Sequence, residues 1–287
     1  PNFMSSVEVD VHRKVQEFYS EIKDASELAC DACTPGALDA SVGPMLERVH
    51  EEVRRRFYGC GTPLPDAAKG CTVLDLGCGT GRDAFVFAQL VGESGTVIGV
   101  DMTDDQLAVA HQYEDWHRSQ FGFAKANTRF AKAMIEDLSG AVEDETCDCV
   151  TSNCVINLAP DKRPVMREIW RVLKPGGELL FSDVFADRRV PAMAREDKLA
   201  LGECLGGAMY VRDFEQLARG AGFTDVRVVE RRRININNPT LLRLVGDTKF
   251  YSLTIRAFKL VDVEPSPEDY GEMATYLGTL PGRPHAF

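Results

Sequence analysis

The sequence predicts an α/β protein in which a mostly parallel, seven-stranded sheet carries helices on both faces. Between residues 71 and 183, short apolar runs of strand length alternate with segments of helical periodicity. This alternation is typical of a parallel sheet with crossover helices. A glycine-rich turn joins the first apolar run to the first helix of the series. The chain has 287 residues, 44% of them hydrophobic, which suffices for one large domain or two modest ones.

The N-terminal region, residues 1–65, is predicted to be helical. Apolar residues recur at helical spacing over residues 9–22, and a second helix is predicted over residues 44–58, where glycines end it. A polar loop at residues 30–43 separates the two helices and contains two cysteines.

The central region, residues 66–185, carries the alternating pattern. Its predicted strands lie at 72–76, 96–100, 128–133, 147–153 and 178–183, and its predicted helices lie at 83–91, 104–121 and 162–173. Parallel strands need long crossover connections, which these helices supply.

The third region, residues 186–261, is predicted to be α+β and to close the sheet. An inserted helix and loop at 191–209 are followed by predicted helices at 214–220 and 239–244 and predicted strands at 226–230 and 251–259. Residues 262–287 are rich in proline and are predicted to form a surface tail.

The composition disfavours several classes of partner. A formal net charge of −11 repels phosphate backbones and anionic lipid, so neither nucleic acid nor a membrane surface is expected as a partner. No apolar run reaches the roughly 20 residues of a membrane helix, and the N-terminus lacks the apolar core of a signal peptide. We therefore expect a cytoplasmic protein, and the lack of a coiled-coil pattern favours a monomer.

The nine cysteines are many for a chain of this length, and their number is odd. A disulfide framework is not expected in the reducing cytoplasm. Core packing, metal coordination and redox chemistry remain as alternatives. Cys30 and Cys33 are spaced like half of a zinc site, but no second pair completes it.

The segment VLDLGCGTGRD, residues 73–83, predicts a nucleoside-binding turn. Gly77, Gly79 and Gly81 let the backbone approach a ligand, and the following helix offers free N–H groups. Asp101 ends the next strand, where a carboxylate accepts hydrogen bonds from ribose hydroxyls. The alternative is a purely structural turn with a capping aspartate.

The charge of this turn selects among nucleoside cofactors. The glycine spacing is G-x-G-x-G, with Asp75 just before it, whereas nicotinamide enzymes use G-x-G-x-x-G around a pyrophosphate. A carboxylate at Asp75 would repel pyrophosphate but suits a cationic amino group. S-adenosylmethionine carries an ammonium and a sulfonium and no phosphate, so it is the predicted cofactor.

Three segments resemble class I S-adenosylmethionine methyltransferases, which have a Rossmann-like fold. These segments are DLGCGTG, VDM at residues 100–102 and VLKPGGELLFSD at residues 172–183. In that family an acidic stretch after the third strand lies near adenine, and the matching stretch here is residues 134–137. The resemblance and the turn together imply these cofactor-binding residues: Tyr58, Asp75, Gly77, Gly79, Gly81, Asp101, Met102, Ile135, Glu136 and Asn153.

Four cysteines lie in loops or at the ends of predicted elements. Cys154 lies in SNCVINL at the carboxyl end of the fourth strand, and Cys204 lies between glycines in GECLGGA. Cys60 follows a predicted helix, and Cys33 lies in the polar N-terminal loop. The chain lacks the Asn/Asp-Pro-Pro-aromatic run with which many methyltransferases hold an amine. Each thiol taken singly is more often core packing than a ligand.

The segments HEEVRRRFYGCG, VLDLGCGTGRD, SNCVINLAPDK, VLKPGGELLFSDV and GECLGGA together resemble arsenite methyltransferases. The resemblance implies that Cys60, Cys154 and Cys204 bind trivalent arsenic, delivered as a thiol adduct. It implies that Cys33 and Cys60 serve reduction and the first methylation, with glutathione or thioredoxin as external reductant. It also places Tyr58 against the methyl end of the cofactor and makes residues 186–261 the arsenic-binding region. The tail resembles the start of a longer extension.

The implied chemistry needs no general base. Soft thiolates suit trivalent arsenic, and three of them leave a lone pair on its open side. Two rival functions remain at this point. One is methylation of a small organic carbon or oxygen nucleophile with incidental cysteines, and the other is a non-catalytic metalloid-binding protein.

Overall fold

The structure, a computed structural model, describes residues 6–21, 42–61, 63–260 and 271–279. The helices among these residues are α1 (Ser6–Glu21), α2 (Val42–Glu47), α3 (Glu51–Arg55), α4 (Arg82–Val91), α5 (Asp104–Gln112), α6 (Glu114–Phe121), α7 (Lys162–Val172), α8 (Ala192–Glu196), α9 (Lys198–Gly202), α10 (Val211–Ala221) and α11 (Pro239–Val245). The strands are β1 (Thr72–Leu76), β2 (Thr96–Asp101), β3 (Thr128–Lys132), β4 (Cys147–Asn153), β5 (Leu173–Ala186), β6 (Met209–Tyr210), β7 (Val226–Ile234) and β8 (Phe250–Phe258).

The strands form one sheet in the order β3-β2-β1-β4-β5-β8-β7, and the two-residue strand β6 pairs beside this path with β5. Strands β1 to β5 run parallel, whereas β8 is antiparallel to both of its neighbours. The strand order reverses between β1 and β4, so ligands are expected in the crevice at the carboxyl ends of these two strands. The predicted mostly parallel α/β fold with seven principal strands is confirmed.

Two apolar layers cover the faces of the sheet. Helix α7 begins at Asp161, whose side chain accepts a hydrogen bond from the Arg163 N–H, and its buried residues Val165, Met166, Ile169 and Val172 pack on one face with α10. Helix α4 is buried along most of its length and packs on the other face with α5. A third cluster lies beyond the carboxyl ends of the central strands, and it contains Cys60, Cys154 and Cys204.

Two predicted helices have the wrong extent. The helix predicted over 44–58 is two short helices, because His50 leaves helical geometry and its side chain caps α3. The helix predicted over 104–121 breaks at Tyr113, whose ring stacks on His50 with centroids 3.9 Å apart. Helical periodicity encodes neither the cap at His50 nor the ring stack between His50 and Tyr113.

The predicted fifth strand, 178–183, is shorter than the observed β5. Strand β8 pairs with β5 from Glu178 to Ala186 and so extends it. The loop that contains Cys30 and Cys33 and most of the predicted tail lie outside the described residues. None of the described helices has the length and apolar character that crossing a membrane requires.

Candidate active site

A cleft of about 970 Å³ opens at the carboxyl ends of β1 and β4. Its walls include the glycine turn after β1, the start of the loop after β4, and part of α1. Most of the predicted cofactor-binding residues line it, namely Tyr58, Asp75, Gly77, Gly79, Asp101, Met102, Ile135, Glu136 and Asn153. Gly81 ends the glycine turn as the residue that precedes α4.

The glycine turn has a backbone that other residues rarely adopt. Gly77 and Gly79 have φ values of 69° and 52°, in the left-handed region that favours glycine. A Cβ at Gly77 would overlap the side chain of Val155. The turn therefore brings the backbone close to the loop that carries Cys154.

Asp101 holds the turn in place. Its carboxylate accepts hydrogen bonds from the Gly79 N–H at 2.9 Å and the Thr103 N–H at 2.8 Å. Burial raises the pKa of Asp101, and these backbone donors oppose the change. The residue predicted to meet a ribose thus also links the ends of β1 and β2.

Asp75 is suited to receive a cation. It is buried, and its Oδ2 has no partner among the described residues. Burial, followed by the charges of Asp83 and Asp101, raises the pKa of Asp75 well above its usual range. A bound ammonium group would offset the cost of burying the Asp75 carboxylate. The unpartnered Asp75 oxygen therefore fits the amino group of S-adenosylmethionine.

Helix α1 forms a wall of the cleft that sequence reasoning did not assign to the site. His12 Nε2 lies 2.8 Å from Glu136 Oε1, and the Gln16 side chain donates to the Met102 carbonyl at 3.4 Å. His12, Val15 and Tyr19 all line the cleft. Their spacing of i, i+3 and i+7 puts them on one helix face. This spacing is the feature of the sequence from which the role of α1 in the cleft could have been predicted.

Three of the four predicted catalytic cysteines come together at the edge of the cleft. Cys60 and Cys154 form a disulfide, with their Cα atoms 5.9 Å apart and a sequence separation of 94. The Cys204 thiol donates to the Cys154 carbonyl at 3.3 Å, and the Tyr19 hydroxyl lies 3.8 Å from the Cys204 sulfur. Cys33 lies outside the described residues.

The backbone at both loop cysteines is unusual. Cys154 and Cys204 have φ values of 58° and 59°, a conformation that costs a residue with a side chain about 1–3 kcal/mol. Apart from glycines, Glu145 is the other described residue with positive φ. Such strain persists only where neighbouring contacts enforce it, and it is found more often at functional sites than elsewhere.

Asp183 of β5 anchors the loop that follows Cys154 through hydrogen bonds with Asn157. The buried Asp183 carboxylate accepts from the Asn157 backbone N–H at 3.0 Å and from its side-chain amide at 2.7 Å. Burial raises the pKa of Asp183 to about 7. Gly207, three residues after Cys204, lies so close that a Cβ would overlap the Asn157 carbonyl oxygen.

Asn153 braces the turn that carries Cys60. Its side-chain oxygen accepts from the N–H groups of Cys60 at 2.9 Å and Gly61 at 3.2 Å. Its amide donates to the Gly61 carbonyl and to the Asp83 carboxylate, both at 2.9 Å. The sequence predicts that Asn153 contacts the cofactor. These hydrogen bonds show that its side chain also holds the turn that carries Cys60.

Three other described cysteines lie in the core of the sheet region. Burial raises the pKa of Cys78 and Cys149, and it raises the pKa of Cys147 to about 12, so these thiols stay protonated as core residues. Within the described ranges, no three His, Cys, Asp or Glu side chains are arranged to hold a metal ion. Cys60 and Cys154 offer two sulfur ligands only once their disulfide is reduced.

Comparisons with known proteins show the family to which the chain belongs. A family model described as a methyltransferase domain matches residues 67–222. The arsenite methyltransferase of Aquipseudomonas alcaligenes is 51% identical over 280 residues, covering 96% of this chain and 80% of that protein. The arsenite methyltransferase of Mus musculus is 44% identical over 261 residues, covering 90% of this chain and 69% of that protein.

A solved structure gives the same result. The crystal structure of an arsenic(III) S-adenosylmethionine methyltransferase from Chlamydomonas reinhardtii superposes with a TM-score of 0.82 at 49% identity, covering 88% of this chain and 84% of that chain. The similarity thus extends well beyond residues 67–222, which the family model matches.

Proposed function

The chain belongs to the arsenite methyltransferase family, and we propose that Cys60, Cys154 and Cys204 hold its trivalent arsenic substrate at the edge of the cofactor cleft. Its function is the S-adenosylmethionine-dependent methylation of arsenite. The observation that carries the proposal is the convergence of three sulfurs from distant segments beside the cleft, two of them on strained turns.

The sulfurs suit this substrate. Trivalent arsenic is soft and prefers thiolates, which are the ligating form of cysteine. In the disulfide form Cys60 and Cys154 cannot bind arsenic, so a reductant has to open the bond first. Glutathione or the thioredoxin system fills this role in our proposal, and a thiol adduct of arsenite then exchanges onto the protein thiolates.

The protein contributes mainly position. S-adenosylmethionine supplies, when bound, a methyl group made electrophilic by its sulfonium. Three thiolates leave arsenic with a lone pair on the side away from sulfur, so no general base is needed. The two strained turns hold this open side toward the cleft, since positioning alone removes a large part of such a barrier.

Electron balance gives the disulfide a second task. Arsenic loses two electrons formally when it takes a methyl group as a cation. Two thiolates that join as the Cys60–Cys154 disulfide return two electrons to arsenic, and an external dithiol reduces that bond for the next cycle. Cys33, which the family resemblance places in reduction, is proposed to relay this exchange.

The cofactor residues are proposed in two groups. Asp75 and the turn of Gly77, Gly79 and Gly81 would hold the methionine end, with Tyr58 and Asn153 beside it. The residues at the adenosine end would be Asp101, Met102, Ile135 and Glu136. We expect the enzyme to act in the cytoplasm as a monomer.

The test is an incubation of the reduced protein with arsenite, S-adenosylmethionine and glutathione, followed by separation of arsenic species with mass spectrometric detection. Methylated arsenic is expected from the wild type. Cys154→Ser and Cys204→Ser should bind S-adenosylmethionine and lose arsenite methylation. Cys71→Ser is the control: its half-buried thiol directly precedes the amino end of β1, so this variant should keep the methylation activity.

Three results would refute the assignment. Normal methylation by Cys154→Ser would remove that sulfur from the arsenic site. Saturable arsenite binding by the wild type without methylated product would favour a metalloid-binding protein. Absence of both binding and product would favour an organic carbon or oxygen acceptor.

A further inference from the structure

The loops of Cys154 and Cys204 come from different segments of the chain, and they meet at Asn157. This residue is 1% exposed and lies in a single turn of 3-10 helix, Ile156–Leu158, shortly after Cys154. A Cβ at Gly207, three residues after Cys204, would overlap the Asn157 carbonyl oxygen. Because buried atoms are close-packed, a shift of one loop at this contact displaces the other.

Strand β5 fixes Asn157 through a buried carboxylate. One oxygen of Asp183 accepts from the Asn157 backbone N–H at 3.0 Å, and the other accepts from its side-chain amide at 2.7 Å. The same amide also donates to the Val184 carbonyl. Burying a carboxylate is costly, and burial raises the pKa of Asp183 to about 7. A buried polar network of this kind rigidifies the backbone that it holds.

Helix α7 holds the carbonyl group of Asn157. The side chain of Lys162, the first residue of α7, donates to the Asn157 carbonyl at 3.2 Å and to the Ala159 carbonyl at 2.9 Å. The carbonyl that meets Gly207 is therefore held by a cation, and the N–H groups of the same residue are held by the anion of Asp183. Asn157 is thus fixed through both its donors and its backbone acceptor.

The contact at Gly207 reaches Cys204 because the segment between them is closed onto α9. The Cys204 N–H donates to the Leu201 carbonyl at 3.0 Å, and the N–H groups of the next two residues donate to the Ala200 carbonyl at 2.9 Å and 2.7 Å. Cys204 has the strained φ of 59°, which persists only where surrounding contacts enforce it. The Asn157 carbonyl supplies one of these contacts.

Coordination of arsenic by three thiolates depends on the spacing of the sulfurs. Cys60 and Cys154 lie close enough to form a disulfide, and Asn153 holds the Cys60 turn. The Cys154 backbone is fixed separately, since its N–H donates to the Ser182 carbonyl at 2.8 Å. Cys204 supplies the third sulfur, so its distance from the other two depends on the contact between the two thiol loops.

We propose that Asn157 is a positioning residue for arsenic binding, which holds the Cys204 loop at the distance from Cys154 that coordination by three thiolates requires. This inference rests on the proposed function and deepens it, because it assigns the spacing of the arsenic ligands to a residue that is not part of the cleft wall. Asn157 therefore matters for arsenicals that take three thiolates and much less for arsenicals that take two.

The test compares two arsenicals on reduced protein: arsenite, which can take three thiolates, and phenylarsine oxide, whose phenyl group leaves room for two. Calorimetry with a competing dithiol gives both dissociation constants, and binding of S-adenosylhomocysteine shows that each variant is folded. The variants are Asn157→Ala and Lys162→Met. The matched control is Asn127→Ala, which also removes a buried amide with two hydrogen bonds, to the Ala88 and Gly92 carbonyls.

Asn157→Ala is expected to bind arsenite about 10- to 100-fold more weakly than the wild type, the range for a lost hydrogen bond to a charged group. Its affinity for phenylarsine oxide should stay within about threefold of the wild-type value, because Cys60 and Cys154 still form a pair. Lys162→Met should show a smaller loss of arsenite affinity, and Asn127→Ala should bind both arsenicals like the wild type. General loosening of the fold would instead weaken both arsenicals alike.

A folded Asn157→Ala protein with wild-type arsenite affinity would overturn the inference. Equal losses for the two arsenicals, or the same arsenite loss in Asn127→Ala, would also overturn it and leave the proposed function standing. If Asn157→Ala does not fold, Lys162→Met decides, and wild-type arsenite affinity in that variant counts against the inference. A wild type that binds no arsenite would refute the proposed function itself, which sets that failure apart from the others.

Discussion

Lowering the pH is expected to destabilise the enzyme through one buried histidine, His117 of α6. Its ring is 1% exposed and stacks on Phe85 with centroids 3.6 Å apart. Its Nδ1 lies 2.7 Å from the Tyr113 carbonyl, and its Nε2 accepts from the His50 backbone N–H at 3.1 Å. These partners require a neutral ring with its proton on Nδ1, because a proton on Nε2 would face the His50 N–H.

The magnitude follows from the pKa. Burial lowers the pKa of His117 from its ordinary value of 6.5 to about 4, although the Tyr113 carbonyl acts in the opposite direction. Between these values the unfolded chain binds a proton that the folded chain does not, so stability is complete above 6.5 and is lost as pH falls toward 4. At about 1.4 kcal/mol for each pH unit, the whole window contributes roughly 3 kcal/mol, of which about 2 kcal/mol is lost by pH 5.

The assay is urea unfolding at pH 7, 6 and 5 in the presence of reductant. His117→Asn keeps a donor near the Tyr113 carbonyl and cannot titrate, and His111→Asn changes a half-exposed histidine of α5. His117→Asn should be less stable at pH 7 because it loses the ring stack. Its unfolding free energy should nevertheless fall by about 2 kcal/mol less between pH 7 and 5 than that of the wild type. Equal losses in wild type and His117→Asn would refute the reasoning.

Three further changes test the thiol site. Gly207→Ala should weaken arsenite binding about tenfold or more, because overpacking costs about 1–3 kcal/mol and here displaces a cysteine turn. Gly220→Ala is the control and should leave arsenite binding unchanged, because the space around its Cβ is open. Calorimetry on reduced protein measures the arsenite affinity of both variants. Asn153→Ala should make the Cys60–Cys154 disulfide about tenfold easier to reduce, because the three hydrogen bonds between the Asn153 side chain and the Cys60 turn are lost. A glutathione redox titration with mass spectrometry measures this change. Oxidised wild-type protein should bind no arsenite, and dithiothreitol should restore binding at one arsenic per chain.

The local features of the cofactor turn could be predicted because their causes are local. Gly77, Gly79 and Gly81 follow a buried strand and precede a helix, and each has the positive φ that favours glycine. Asp101 ends the next strand and holds the turn. Alternation of short apolar runs and helical segments depends on neighbours in sequence, so the parallel core was also predictable.

The extents of two helices, predicted over 44–58 and 104–121, were not predictable in the same way. His50 and Tyr113 each interrupt a segment with good helical periodicity, and their rings stack on one another across the fold. Local propensity differs by only tenths of a kcal/mol between such residues, which one tertiary contact outweighs.

The sequence by itself determined the α/β class, the cofactor turn and, through family resemblance, the set of cysteines that matter. Only the tertiary structure decided that Cys60, Cys154 and Cys204 meet and that α1 forms a wall of the cleft. The physical reason is that these groups come from segments far apart in the chain. Strand order and the packing of buried turns set the distances between these groups. The spacing of residues along the sequence determines neither of them.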